Sequence, residues 1–241
     1  MTAGAFLSRR MSHRDPCAML LALSILAVTA STALAQSWGQ PPNVGDVKFQ
    51  ALAYRSSGAY DRDLAAVAAR AEDYVRFRAG RVSRPALVLD IDETSLSNWP
   101  EIRANDFGYI AEGPCHLPKG PCAVRAWELS ARGTAIAPTL KLFRTARSLR
   151  VSVFFITGRH ADERRATELN LRRAGYAGWT GLIMRPVGSS GPAADFKAPE
   201  RAKIEALGFI IIANMGDQPS DLAGGHAERS YLLPNPFYRI P

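Results

Sequence analysis

The chain is poor in cysteine and histidine, with three Cys and four His in 241 residues. Beyond residue 35 only Cys115 and Cys122 remain. A cysteine metal site would need more ligands than their neighbour His116 supplies, and one pair is too few to staple a whole fold. No internal repeat is present, so repeat architectures are excluded, and no low-complexity tract marks a disordered segment. No nucleic-acid-binding motif accompanies the basic charge, so no nucleic-acid polymer is expected as a partner. Past the N-terminal region no apolar run is long enough for a membrane span.

What is there is an ordinary globular composition, 47% hydrophobic and 22% charged. The length suits one sizeable core with a small appendage. Residues 1–35 read as a secretory signal: Arg9, Arg10 and Arg14 precede an apolar run over 18–28, and Ala33-Leu34-Ala35 is a small-x-small cleavage site. A lipid anchor would want a cysteine at the end of that run, and Cys17 precedes it. Removing this segment takes three Arg and one Asp and lowers the formal charge from +8 to +6. The expected location is periplasmic or secreted. In an oxidising compartment Cys115 and Cys122, bracketing a Pro/Gly turn, read as a local disulfide.

The mature part, residues 36–241, reads as one α/β domain. Residues 36–47 form a loose lead-in, and apolar spacing predicts a helix over 60–78, so 36–84 is an N-terminal extension with one helix. Short apolar runs at 86–91, 151–156, 181–184 and 209–213 read as buried parallel strands, with a last short strand at 230–233. Helices are expected over 139–149, 164–174 and 199–207. Residues 95–138 carry no clear period and read as an inserted cap. Alternating strands and helices imply a Rossmann-like parallel sheet flanked by helices. Such sheets place chemistry just beyond the strands' carboxyl ends.

The residues at those ends bear this out as a pattern. The first strand runs into Asp90-Ile91-Asp92-Glu93-Thr94. Asp90 and Asp92, one residue apart, leave the strand toward the same side. Close carboxylates need a cation, or one must hold a proton. The second strand ends in Thr157-Gly158-Arg159, where a hydroxyl, backbone amides and a glycine allow close approach of an oxyanion. The third ends in Gly216-Asp217, followed by Asp221, which adds oxygen ligands for a hard cation. Lys197 precedes that strand and can neutralise a phosphoryl oxygen. Taken singly these are helix caps, turns and surface charges; their order makes them specific.

Together the stretches 86–98 (ALVLDIDETSLSN), 155–159, Thr167, Asn170-Leu171, Ala174-Gly175-Tyr176 and 216–222 (GDQPSDL) resemble the haloacid dehalogenase (HAD) superfamily. The resemblance is closest to its class III, subfamily IIIB acid phosphatases, which include bacterial lipoprotein phosphatases and plant vegetative storage protein-like phosphatases. It covers roughly residues 54–234. It implies that Asp90 is the nucleophile and Asp92 the general acid and then base. It implies that Thr157, Gly158 and Lys197 hold the phosphoryl group. Mg2+ would be held by Asp90, the main-chain carbonyl of Asp92 and Asp217, with Asp221 orienting a metal-bound water and Thr94 supporting the nucleophile loop. The substrate is then a small-molecule phosphomonoester. The anionic neighbours of Asp92 are expected to raise its pKa and to give an acidic optimum. Rival readings are a narrower nucleotidase, with Trp99, Phe107 or Tyr109 stacking a base, a phosphate-binding or storage protein on the same fold, and phosphotransfer to alcohols.

Overall fold

The computed structural model describes residues 41–240, and the expected signal segment lies outside them. In chain order the elements are α1 (Val44–Ser56), α2 (Ala59–Arg78), β1 (Pro85–Leu89), β2 (Leu96–Ser97), α3 (Trp99–Ala104), α4 (Val124–Leu129), β3 (Thr134–Ala135), α5 (Ala137–Ser148), β4 (Ser152–His160), α6 (Arg164–Arg173), β5 (Gly181–Arg185), α7 (Ala193–Ala206), β6 (Ile210–Gly216), α8 (Pro219–Leu222) and β7 (Ser230–Leu232).

The main sheet has five parallel strands in the order β5-β4-β1-β6-β7. The two strands that carry the most polar ends, β1 and β6, are neighbours at its centre. Strand alternation sorts their side chains to two faces. Leu87 and Leu89 of β1 and Val153 and Phe155 of β4 enter the larger core, under α2 and α5. Ala86, Val88, Phe154, Ile156 and Ile211 face the other way, onto Ile204 and Phe196 of α7. Each fully buried Leu or Ile here is worth about 1.5–3 kcal/mol in area removed from water. A register shift between β1 and β6 beside Ala86 and Leu87 allows Ile212 and Ala213, adjacent in sequence, to share the larger core.

Three local expectations change. The loose lead-in ends at residue 43, because Asn43 caps α1 by accepting from Gly45 N at 2.8 Å. Only Ala51 of α1 is buried, so the helix left little apolar period to read. The helix expected from Pro199 begins at Ala193, and Pro199 lies inside it. The cap region has structure of its own. β2 and β3 pair as an antiparallel ribbon, α3 and α4 sit between them, and Cys115 and Cys122 are joined by a disulfide. Asn105 ties that loop to α3: its side chain accepts from Cys122 N at 2.9 Å and donates to Cys122 O at 2.8 Å.

Candidate active site

The backbone turns sharply after β1. The N–H groups of Thr94, Ser95 and Leu96 all donate to the Ile91 carbonyl, at 3.3, 2.8 and 2.8 Å. Ser95 Oγ donates to the Asp90 carbonyl at 2.6 Å. Glu93 takes a left-handed φ of 50°, an unusual conformation for a side-chain-bearing residue, and is buried. It accepts from Asn98 N at 2.7 Å, which pins the turn to the start of the cap. This turn delivers Asp90 and Asp92 to one cavity of about 810 Å³ at the strands' carboxyl ends.

Asp90, Asp217 and Asp221 converge there. Each offers a carboxylate oxygen, and these oxygens lie within 4.8 Å of one another. All three residues are buried, as is Lys197, whose Nζ donates to Asp90 Oδ1 at 2.5 Å and to Asp221 Oδ1 at 2.6 Å. Gly216 makes the close return possible, since a Cβ there would strike the Asp221 side chain. Asp221 also accepts from Gln218 N at 2.9 Å. Asp217 accepts from Thr94 Oγ1 at 3.1 Å and from Gln218 Nε2 and Asn235 Nδ2 at 2.7 Å each.

One ammonium among three buried carboxylates leaves negative charge uncompensated. Burial, and then the neighbouring carboxylates against the pull of Lys197, hold Asp90 well above the ordinary carboxylate range. Burial and Asp221 push Asp217 up to about 6. Lys197 stays charged, because Asp90 and Asp221 outweigh the burial that opposes its charge. An all-oxygen, buried, anion-rich set fits a hard divalent cation. The Asp92 carboxylate is not part of the set.

Asp92 instead faces Arg159, which is buried on β4. Arg159 donates from its terminal nitrogen to Asp92 Oδ1 at 2.6 Å and from Nε to Oδ2 at 3.1 Å. Asn98 Nδ2 donates to the same Oδ1 at 2.7 Å. The expected rise in the Asp92 pKa is therefore corrected. Burial raises it, but Arg159 and Asn98 overcome burial and hold it below the usual range.

Thr157 is buried, and its Oγ1 accepts from Arg159 N at 3.1 Å. Gly158 lines the cavity, and a Cβ there would meet nothing within 4 Å, so the packing around it does not demand a glycine. Of the aromatic residues considered for base stacking, Trp99 and Phe107 pack on Phe237 at ring-centre distances of 5.1 and 6.2 Å. Tyr109 lines the cavity and is exposed.

Sequence reasoning missed several contributors. Arg159 stood in a quoted motif without a role. Asn98 and Glu128 line the cavity from the cap, and Tyr238, Arg239 and Ile240 line it from the C-terminal tail. No local pattern marks those tail residues, whose position comes from Phe237 docking on Tyr60 and Trp99.

Buried carboxylates from two adjacent parallel strand ends, with a lysine between them, define an α/β protein of the haloacid dehalogenase type. Residues 20–241 match the family model of the HAD superfamily, subfamily IIIB (acid phosphatase), and the chain belongs to this family. It is 32% identical over 190 residues to acid phosphatase 1 of Solanum lycopersicum, covering 78% of this chain and 72% of that protein. It is 34% identical over 161 residues to the stem 28 kDa glycoprotein of Glycine max, covering 65% of this chain and 61% of that one, so it spans less than two thirds of that relative. The class C acid phosphatase from Bacillus anthracis has the same fold, with a TM-score of 0.65 at 20% identity over 80% of this chain and 86% of that one. No helix among the described residues is long and apolar enough to cross a membrane.

Proposed function

We propose that this chain is an exported acid phosphatase that hydrolyses small phosphomonoesters through an aspartyl-phosphate, with Mg2+ as its cation. The observation that carries the reading is the convergence of Asp90, Asp217 and Asp221, with Lys197 bridging Asp90 and Asp221 and Asp92 set apart on Arg159. Two carboxylates from one turn thus have different environments and different roles.

An oxygen of Asp90 attacks phosphorus, and the bond to the ester oxygen breaks. Asp92 gives its proton to that departing oxygen and becomes a carboxylate. It then takes a proton from a water molecule, whose oxygen attacks phosphorus and displaces Asp90. Free phosphate leaves with Asp90 restored and Asp92 reprotonated. Lys197, Thr157 and the amides around Gly158 hold the phosphoryl oxygens. A divalent cation held by Asp90, Asp217 and the Asp92 carbonyl would supply the positive charge that lets one anion approach another. Asp221 and Thr94 keep Lys197 and Asp217 in place, as their hydrogen bonds describe.

The low pKa of Asp92 favours an acidic optimum for a reason opposite to the one first expected. Arg159 keeps Asp92 ionised at neutral pH, so the protonated form that the first step needs grows as pH falls. The test is turnover of a generic phosphomonoester followed from neutral into acidic pH, with Mg2+ and with chelator, beside Asp90→Asn. Mg2+-dependent turnover lost in the variant supports the reading. A folded protein that binds phosphate without turnover would replace it with a binding or storage role.

A further inference from the structure

The two short hydrogen bonds to Asp92 both fall on one oxygen. Oδ1 accepts from Asn98 Nδ2 at 2.7 Å and from the Arg159 terminal nitrogen at 2.6 Å. Oδ2 receives only the longer contact from Arg159 Nε, at 3.1 Å. Asn98 is itself held: its Oδ1 accepts the indole N–H of Trp127, on α4, at 2.8 Å. Both residues are buried, at 8% and 4% exposure, so water competes little for these groups.

The chemistry of the indole decides the orientation of the amide. An indole nitrogen donates and cannot accept. The Asn98 carbonyl must therefore turn to Trp127, which leaves the amino group for Asp92. Without the indole N–H the amide is free to rotate. Its oxygen could then face Asp92, acceptor against acceptor. The residue after Trp127, Glu128, lies 3.5 Å from Arg159 Nε. One turn of cap helix thus reaches both groups that grip Asp92. Trp127 does not line the cavity, whereas Asn98 does.

We propose that Trp127 is a positioning residue for the proton-transfer step: acting through Asn98, it fixes Asp92 with Oδ1 held by both short bonds and Oδ2, which carries only the longer one, facing the leaving group. This rests on Asp92 serving as the general acid. In that step the phosphorus–oxygen bond of the ester breaks, the departing oxygen keeps the electron pair, and the proton passes to it from Asp92 Oδ2. Trp127 and Asn98 neither gain nor lose a proton. The cap therefore contributes to the chemical step.

Leaving-group chemistry separates positioning from mere support of the fold. The leaving group of 2,4-dinitrophenyl phosphate departs without a proton, whereas that of glycerol phosphate needs one. Trp127→Phe should lose about 10-fold or more in kcat/KM on glycerol phosphate. On dinitrophenyl phosphate kcat/KM, which reports only the steps through leaving-group departure and not the later hydrolysis of the aspartyl-phosphate, should stay within about twofold of the parent. Asn98→Ala removes the same link from the other side and should show the same substrate-selective loss, should Trp127→Phe fail to fold. Equal losses of kcat/KM on both substrates, or none in a folded variant, would overturn the proposal while leaving the phosphatase reading intact. A parent inert on both substrates would sink that reading and this proposal with it.

Discussion

Arg159 and Asp92 form a forked ion pair, with nitrogen–oxygen distances of 2.6 and 3.1 Å and the guanidinium buried beneath the active-site cavity. Glu128 lies farther from this arginine, at 3.5 Å, so the arginine's short bonds go to the partly exposed Asp92 and control that carboxylate's charge and direction. Four predictions follow from this pair and its surroundings.

Replacing Arg159 by Met removes the group that holds Asp92 ionised, while the burial that opposes its charge remains. The Asp92 pKa then rises. Since the first step uses protonated Asp92, the descending limb of kcat/KM against pH moves to higher pH in Arg159→Met. The peak rate also falls, by about 10-fold or more, because the forked geometry is gone. A pH–rate profile of the two proteins checks both parts; an unmoved limb would separate Arg159 from the titration of Asp92.

Lys197→Met strips the buried counter-charge from Asp90 and Asp221. Breaking a buried ion pair from one side costs about 3–5 kcal/mol. The loss is greatest at neutral pH and shrinks on acidification, because Asp90, held above the ordinary carboxylate range by burial, takes up a proton as the pH falls. Mg2+ should raise the melting temperature of both proteins, and by more in the variant, where no ammonium competes for the carboxylates. Calorimetric melting with and without Mg2+ at two pH values measures this.

Glu101 sits buried on α3 at the cavity wall, and burial, opposed by Asn105 and aided by Asp92, pushes it up to about 7. A folded-state pKa above the unfolded one means that the folded protein binds the extra proton. Its contribution to stability is fully present below the unfolded value of about 4.3 and is lost as pH rises through 7. Glu101→Gln should melt higher than the parent above pH 7 and more nearly level with it at about pH 4. Denaturant midpoints across that range test the sign.

Phe237 anchors the C-terminal tail, with its ring 5.0 Å from Tyr60 and 5.1 Å from Trp99. Phe237→Ala should cost about 3–5 kcal/mol. It should also weaken divalent binding, because the same tail brings Asn235 to Asp217. Titration calorimetry with Mg2+ and thermal melting read the two effects separately.

Much of the sheet was legible because a buried parallel strand must be apolar on both faces, and β1, β4 and β6 are short apolar runs with polar ends. Pro199 misled the reading of α7: a proline that usually opens a helix here sits within one, and Lys197 stands in the first turns. α1 was missed because a helix that buries only Ala51 writes almost no period. The cap escaped because its order comes from scattered tertiary bonds, such as Asn105 to Cys122 and Trp127 to Asn98, which no spacing encodes.

The amino-acid sequence by itself determined which carboxylates stand at the strand ends. Strand pattern and chain direction dictate that Asp90, Asp92 and Asp217 emerge on one edge of the sheet. Only the tertiary structure decided what each of them does there. Burial and partner choice set a carboxylate's charge, and partners such as Arg159, Lys197 and Asn98 come from distant parts of the chain. Asp90 shares Lys197 with Asp221, while Asp92, two residues on, turns away to Arg159 and a cap asparagine. That division of environments arises only when the folded chain brings these groups within hydrogen-bond distance in a site sheltered from water.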